Sequence, residues 1–327
     1  MKIAIDCSGG DKAPKAPIEG ALLAQKELGV DIVFVGNEQQ IQSHVGSNAH
    51  IVPSQNDITN EDKALDSVKH KKNSSMVLGL KMLKNQEVNA FVSAGNTGAL
   101  VAASTLYVGR LEGVLRPALA TLLPTKKGVL MLIDAGANLE CKPEFLHQFG
   151  IMGAIYMKNM HGASNPKVGL LNVGAEEEKG LENIKEAAKL LSNASNYNFI
   201  GNVEARDFAN DVCDVLVSEG FSGNVMLKSI EGVASFVKNE LKEAIFSSWA
   251  SKIGGALLKK SFNNMLDKMD YTKHGGAPLL GTNGTVIKAH GSSNAMAFYN
   301  AIRQAKSFSE SMVNEKIVAE FRENTAI

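Results

Sequence analysis

The chain has 327 residues, 44% hydrophobic and 21% charged, and Lys plus Arg balance Asp plus Glu at a formal net charge of zero. That is an ordinary globular composition, long enough to bury a large core. Without a global positive field, and with 6% aromatics that never interleave with basic runs, it excludes nucleic acid as an expected partner.

Short apolar runs alternate with helical periodicity along the chain. Residues 2–6 read as a strand that ends in Asp6-Cys-Ser-Gly9-Gly10-Asp11, followed by a helix over 17–28 and a strand over 31–36. A helix over 74–84 precedes a strand at 90–94, which passes through Ser93-Ala-Gly95-Asn96-Thr97-Gly98 into a helix over 98–107. A strand at 128–135 ends in Asp134-Ala-Gly-Ala-Asn138 and leads to a helix over 143–157. A strand at 167–173 ends in Asn172-Val-Gly174, runs on to Lys179-Gly180, and is followed by a helix over 182–191. Strands at 199–203 and 214–218 end in Glu204-Ala-Arg206-Asp207 and Ser218-Glu-Gly-Phe-Ser222-Gly223-Asn224. Strands alternating with helices predict an α/β fold with a mostly parallel sheet, and the length suits one large or two ordinary domains.

One segment breaks the rhythm. Residues 235–269 read as a helical hairpin interrupted at Gly254-Gly255, mildly cationic, with seven lysines against four acidic residues between 238 and 273. It is either an ordinary helix pair of a core or dimer, or a surface that touches a membrane interface or an acidic partner. The glycine-rich stretch Tyr271-Thr-Lys-His-Gly275 to Gly281 follows. Then come Val286-Ile-Lys-Ala-His290-Gly-Ser292-Ser293 and a helix over 294–306.

Ligands on parallel sheets sit at the carboxyl ends of the strands. If every strand is parallel, five of these loops share one edge. The Gly95–Gly98 turn enters a helix whose first N–H groups lack partners, and its glycines allow close approach of an anion. The simpler reading is a helix capped by Asn96 or Thr97. Gly223 and Asn224 raise the same alternatives. Lys179 offers a point charge, or is a solvated loop lysine; Arg206 offers a bidentate clamp, or an internal pair with a nearby carboxylate. His290 places a titratable imidazole beside Ser292 at a helix start, or simply orients its loop.

Absences narrow the chemistry. No GxGxxG follows a strand, no GxSxG elbow occurs, and Gly-Gly-Ala-Leu-Leu-Lys-Lys-Ser at 254–261 lacks the second glycine and the strand of a phosphate loop. The seven histidines show neither HxH nor HExxH spacing, so no metal and no cofactor are expected. Cys7, Cys141 and Cys213 are odd in number and far apart, which fits a reducing cytoplasm. Asp6 interrupts the first apolar stretch too early for a signal peptide, and no apolar run reaches the roughly 18–20 residues that span a bilayer.

Taken in order, these motifs resemble the PlsX family, the bacterial acyl-acyl-carrier-protein:phosphate acyltransferases. The matching residues also include Arg116-Pro117, Gln148-Phe149, Gly169-Leu-Leu-Asn-Val-Gly174, Gly201-Asn-Val-Glu204 and Gly275-Gly-Ala-Pro-Leu-Leu-Gly281. They run from the first strand to the last helices. Two departures are Cys7-Ser8, where the family usually has Ala-Met, and Ala205, where it often has glycine.

The resemblance implies a three-layer Rossmann-like fold similar to phosphotransacetylases and isopropylmalate dehydrogenases, in a single domain spanning 1–327, with a protruding helical hook over 235–269. It implies transfer of a fatty acyl group from acyl carrier protein to inorganic phosphate, giving acyl phosphate that a membrane glycerol-3-phosphate acyltransferase consumes. It also implies a homodimer and peripheral membrane contact, the latter raising Trp249, Leu257, Leu258 and Phe262 as contact residues. For that reaction the expected catalytic groups are Lys179, Arg206 and His290. The expected phosphate and substrate contacts are Asp6, Gly9, Gly10, Asp11, Gly95, Asn96, Thr97, Gly98, Asp134, Asn138, Asn172, Glu204, Ser222, Gly223, Asn224 and Ser292. The rivals are a phosphotransacetylase-like enzyme that uses acyl-CoA and a non-catalytic scaffold of lipid synthesis.

Overall fold

The computed structural model describes residues 1–269 and 275–325; Tyr271–His274 of the glycine-rich stretch lie outside the described residues. The strands are β1 (Lys2–Asp6), β2 (Asp31–Gly36), β3 (His50–Pro53), β4 (Ala90–Ser93), β5 (Ala118–Pro124), β6 (Val129–Ile133), β7 (Lys167–Asn172), β8 (Asn198–Glu204), β9 (Val215–Val217), β10 (Ala277–Leu280) and β11 (Thr285–Lys288). The helices are α1 (Lys15–Leu28), α2 (Glu38–Gln42), α3 (Ala64–His70), α4 (Ser75–Lys84), α5 (Thr97–Ala103), α6 (Pro143–His161), α7 (Glu182–Ser192), α8 (Gly220–Phe246), α9 (Trp249–Met269), α10 (Ala295–Glu310) and α11 (Val313–Thr325).

Local chemistry sets these elements. Ile3, Ala4 and Ile5 are all fully buried, because a strand covered by helices on both faces is apolar throughout rather than alternating. Helix α6 starts with Pro143 in its first turn and stops at Gly162, whose φ of 73° is the left-handed conformation that ends helices. Helix α7 buries Ile184, Ala187 and Leu191, one stripe of its surface.

The strands form one sheet in the order β3-β2-β1-β4-β11-β10-β5-β6-β9-β7-β8. It is parallel from β3 to β11 and again from β6 to β8. The pairings β11–β10, β10–β5 and β5–β6 are antiparallel. The two parallel halves therefore run in opposite directions, which corrects the expectation of one shared edge for all five loops. The alternation of strand and helix passed over the hairpin of β5 and β6, closed by Thr125 N–H donating to Gly128 O at 3.0 Å. It also missed the short strands β3, β10 and β11.

The expected hairpin at 235–269 is present but differently built. Helix α8 begins at Gly220, and the turn falls at Ser247 and Ser248. Gly254 and Gly255 lie inside α9 and do not break it. Gly255 serves close packing instead, since a Cβ there would sit 2.5 Å from Ile245 Cγ2 of α8. The helix expected over 98–107 divides into α5 and a π-helical turn at Ser104–Val108. No helix among the described residues is long and apolar enough to cross a membrane.

Candidate active site

Two buried carboxylates shape the loops around the site. Asp6 accepts from the Ser75 and Ser93 hydroxyls at 2.6 Å each and from the Ser8 and Gly9 amides at 3.1 Å. Burial pushes its carboxyl up, and the hydroxyls of Ser75 and Ser93 pull against that shift. Asp134 accepts from the amides of Leu119, Gly136, Ala137 and Asn138 and from the Asn138 side chain. Burial raises its carboxyl too, opposed by those bonds. Both acids hold loops.

The loops close on one another in two groups. Gly9 packs on the Gly95 turn, where a Cβ would lie 2.6 Å from Gly95 N. Asp11 N–H donates to Gly291 O at 2.8 Å, which ties the first loop to the one after β11. In the other half, Gly220 N–H donates to Asn138 O at 2.7 Å, and a Cβ on Gly223 would stand 2.0 Å from Asp134 O.

A pocket of about 270 Å³ joins the two groups across β10. One half contributes Thr97, Lys288, His290 and Ser293; the other contributes Gly136, Asn224, Lys228 and Glu231. Leu119 and Leu122 of β5 and Leu227 of α8 give it apolar wall. Such a lining suits an acyl ester or thioester flanked by a polar reactant.

His290 is held from both sides. The Ser292 amide and hydroxyl lie 3.2 and 2.9 Å from His290 Nδ1. Nε2 lies 3.5 Å from Glu231 Oε1 and 3.3 Å from Lys228 Nζ. Lys228 Nζ in turn lies 2.6 Å from Glu231 Oε2. Burial alone would raise the Glu231 carboxyl, but the contacts with His290 and Lys228 bring it down to about 2.

Lys288, at the end of β11, is 8% exposed. Its ammonium donates to Ala94 O at 3.3 Å and to Ala289 O at 2.5 Å. Burial lowers its pKa to about 8, aided by Lys228 and opposed by Asp6 and Asp11.

The expected site residues divide accordingly. Thr97, Asn224 and His290 meet in the pocket. Asp6, Gly9, Gly10, Asp11, Gly95, Asp134, Asn138, Gly223 and Ser292 build the loops that carry them. Asn96 is a cap: its Oδ1 accepts from Ala99 N–H at 3.0 Å, and its amide reaches the carbonyls of Thr59, Asn60 and Asp62. Gly98 packs on Ala64, and the Ser222 hydroxyl donates to the Glu219 carboxylate.

The structure does not bring Asn172, Lys179, Glu204 or Arg206 into the pocket. They sit beyond β9, where Asn172 Nδ2 donates to Lys179 O at 3.0 Å. Arg206, 77% exposed, pairs with Glu204 at 2.8 Å and Asp207 at 4.0 Å, the internal-pair alternative.

Sequence reasoning missed Lys228, Glu231 and Lys288. The first two carried a signal, since they follow Asn224 by four and seven residues and so share its helix face. Lys288 carried another, as a cation closing the apolar run Val286-Ile287. Among the described residues no group of three His, Cys, Asp or Glu is placed to hold a metal ion.

The architecture is that of the phosphotransacetylases. The enzyme from Streptococcus pyogenes superposes with a TM-score of 0.61 over 95% of this chain and 94% of its own, at 14% identity. The EutD phosphotransacetylase from Staphylococcus aureus gives 0.56 over 96% and 94%, at 16% identity. These likenesses define the fold.

Sequence similarity then places the chain within a family. The fatty acid synthesis protein family matches residues 1–316. A phosphate acyltransferase from Oceanobacillus iheyensis is 49% identical over 323 residues, 98% of this chain and 97% of that protein. One from Thermoanaerobacterium thermosaccharolyticum is 48% identical over 312 residues, 95% and 93% of the two chains. The chain belongs to this family, the phosphate acyltransferases of lipid synthesis.

Proposed function

We propose that the chain moves a fatty acyl group from the thioester of acyl carrier protein to inorganic phosphate, in the pocket between the two half-sheets. A phosphate oxygen bonds to the acyl carbon, the carbonyl becomes an oxyanion, and the carbon–sulfur bond then breaks. The products are acyl phosphate and the carrier's thiol. Thr97 and Asn224 offer a hydroxyl and an amide to the phosphate or the oxyanion, one from each half. His290 takes the proton that the attacking phosphate carries and passes it to the departing sulfur.

The observation that carries this reading is the pocket's lining: apolar on the β5 wall, polar at Thr97, Asn224 and His290, and with no cysteine among its described residues. Phosphate then attacks directly, and the work of the protein is positioning and electrostatics. The hook extends the proposal. Trp249, Leu257 and Leu258 are exposed and Phe262 is half-buried, a surface fitted to a second protomer and to peripheral contact with a membrane from the cytoplasm. A membrane glycerol-3-phosphate acyltransferase would consume the acyl phosphate there.

The test is phosphate-dependent loss of acyl-acyl carrier protein, compared with acyl-CoA, with acyl phosphate trapped by hydroxylamine. Hydroxamate from the carrier thioester at the higher kcat/KM is the expected result. Preference for acyl-CoA would move the chain to phosphotransacetylase-like chemistry, and no hydroxamate from either donor would leave the scaffold reading.

A further inference from the structure

Phosphate brings negative charge into a pocket with an apolar wall, where a cation offsets the hydration it gives up. Lys179 and Arg206 lie beyond the pocket lining. Lys228 and His290 are in it, but both face the same carboxylate of Glu231. Lys288 differs from all four. It lines the pocket and is almost fully buried, and its hydrogen-bond partners, Ala94 O and Ala289 O, are neutral. Among the described residues no carboxylate lies within ion-pair distance of it. Asp6 and Asp11 attract the ammonium from farther off, and Lys228 repels it.

Position adds to charge. Ala94 immediately precedes the Gly95–Gly98 turn, whose Thr97 lines the pocket, and Ala289 precedes His290. The two carbonyls thus fix the ammonium where the ends of β4 and β11 meet the polar wall. A lysine held this way is a fixed positive site that a bound anion completes.

We propose that Lys288 is the cation that binds phosphate in this pocket, pairing with it through the ammonium and holding it beside Thr97 for attack on the thioester. Lys288 keeps its protons throughout; the new carbon–oxygen bond, the broken carbon–sulfur bond and the proton to sulfur are those of the reaction above. The inference rests on that reaction for the identity of the anion, but the binding site itself is testable without the acyl donor.

The experiment compares the wild type with Lys288→Met and Lys288→Arg. Binding of radiolabelled inorganic phosphate is measured by equilibrium dialysis, and KM for phosphate and for acyl-acyl carrier protein by steady-state kinetics. Lys288→Met is expected to weaken phosphate binding and raise phosphate KM by roughly ten- to a hundredfold, the loss of one charge-assisted contact, with the donor KM unchanged. Lys288→Arg is expected to recover part of the loss. Unchanged phosphate affinity in Lys288→Met overturns the proposal.

Should Lys288→Met fail to fold, the wild type supplies a second measurement. Inorganic phosphate should slow acetylation of Lys288 by acetic anhydride, read by peptide mass spectrometry, and no slowing overturns the proposal as well. A wild type that makes no hydroxamate but binds phosphate through Lys288 fails the reaction and keeps this site. A wild type that makes hydroxamate while Lys288→Met retains its phosphate affinity does the reverse.

Discussion

Replacing Lys288 by Met removes a buried ammonium and leaves a neutral side chain of similar reach, so the cost of the charge becomes visible as a difference in pH dependence. The side chain titrates at about 8 in the folded protein against 10.5 for an ordinary lysine. Below pH 8 both folded and unfolded chains carry the proton, and keeping it in the fold costs about 3 kcal/mol. Between pH 8 and 10.5 the folded chain gives up its proton first, so the wild type gains stability as pH rises. From pH 7 to 9.5 that gain is about 2 kcal/mol. The Met variant has no such group. Its stability relative to wild type should therefore fall by about 2 kcal/mol across that interval. Lost hydrogen bonds to Ala94 and Ala289 displace the whole comparison and leave its slope. Urea unfolding with linear extrapolation at the two pH values measures it. Parallel pH curves for the two proteins would mean that the buried ammonium carries no such cost.

Three more outcomes follow from the geometry. Asn96→Ala should lower stability by about 1 kcal/mol in urea unfolding, the usual loss of a helix cap, and leave phosphate KM within twofold of wild type. Gly223→Ala sets a Cβ 2.0 Å from Asp134 O, where backbone must shift. That should reduce kcat/KM by more than about tenfold and cost about 1–3 kcal/mol by the same unfolding measurement. Leu257 is 82% exposed on α9. Leu257→Glu should leave the stability within about 0.5 kcal/mol and weaken sedimentation with anionic liposomes, while activity on soluble donor persists.

Most strands of the parallel halves were legible because they are unbroken apolar runs, as in Ile32–Val35 or Leu130–Ile133, each set off by a neighbouring helix. The joint between them was not. β10 and β11 have four residues each and sit among glycines, and β5 is tied to β6 by a tight turn that a β-then-helix rhythm does not contain. Direction in the second half is decided by those joints, so its reversal was invisible from local pattern. The loops of the site were legible as motifs, since their glycines mark close approaches between backbones. The division of labour was not: Asn96 and Lys179 look alike as candidates until tertiary contacts show one capping α5 and the other beyond the pocket. Lys228 and Glu231 were readable as a helix face, but only with Asn224 as the reference point.

The strand β10 has a mechanical consequence. Its Ala277 and Pro278 pair with β11, while Leu279 and Leu280 pair with β5. Four residues are thus the stitch between two oppositely directed half-sheets, and the pocket lies over that seam. A reactant that touches Thr97 on one side and Asn224 on the other clasps the halves where the sheet itself holds them least. Occupancy of the pocket and rigidity of the seam are then coupled, and the protein should be stiffest when both reactants are in place.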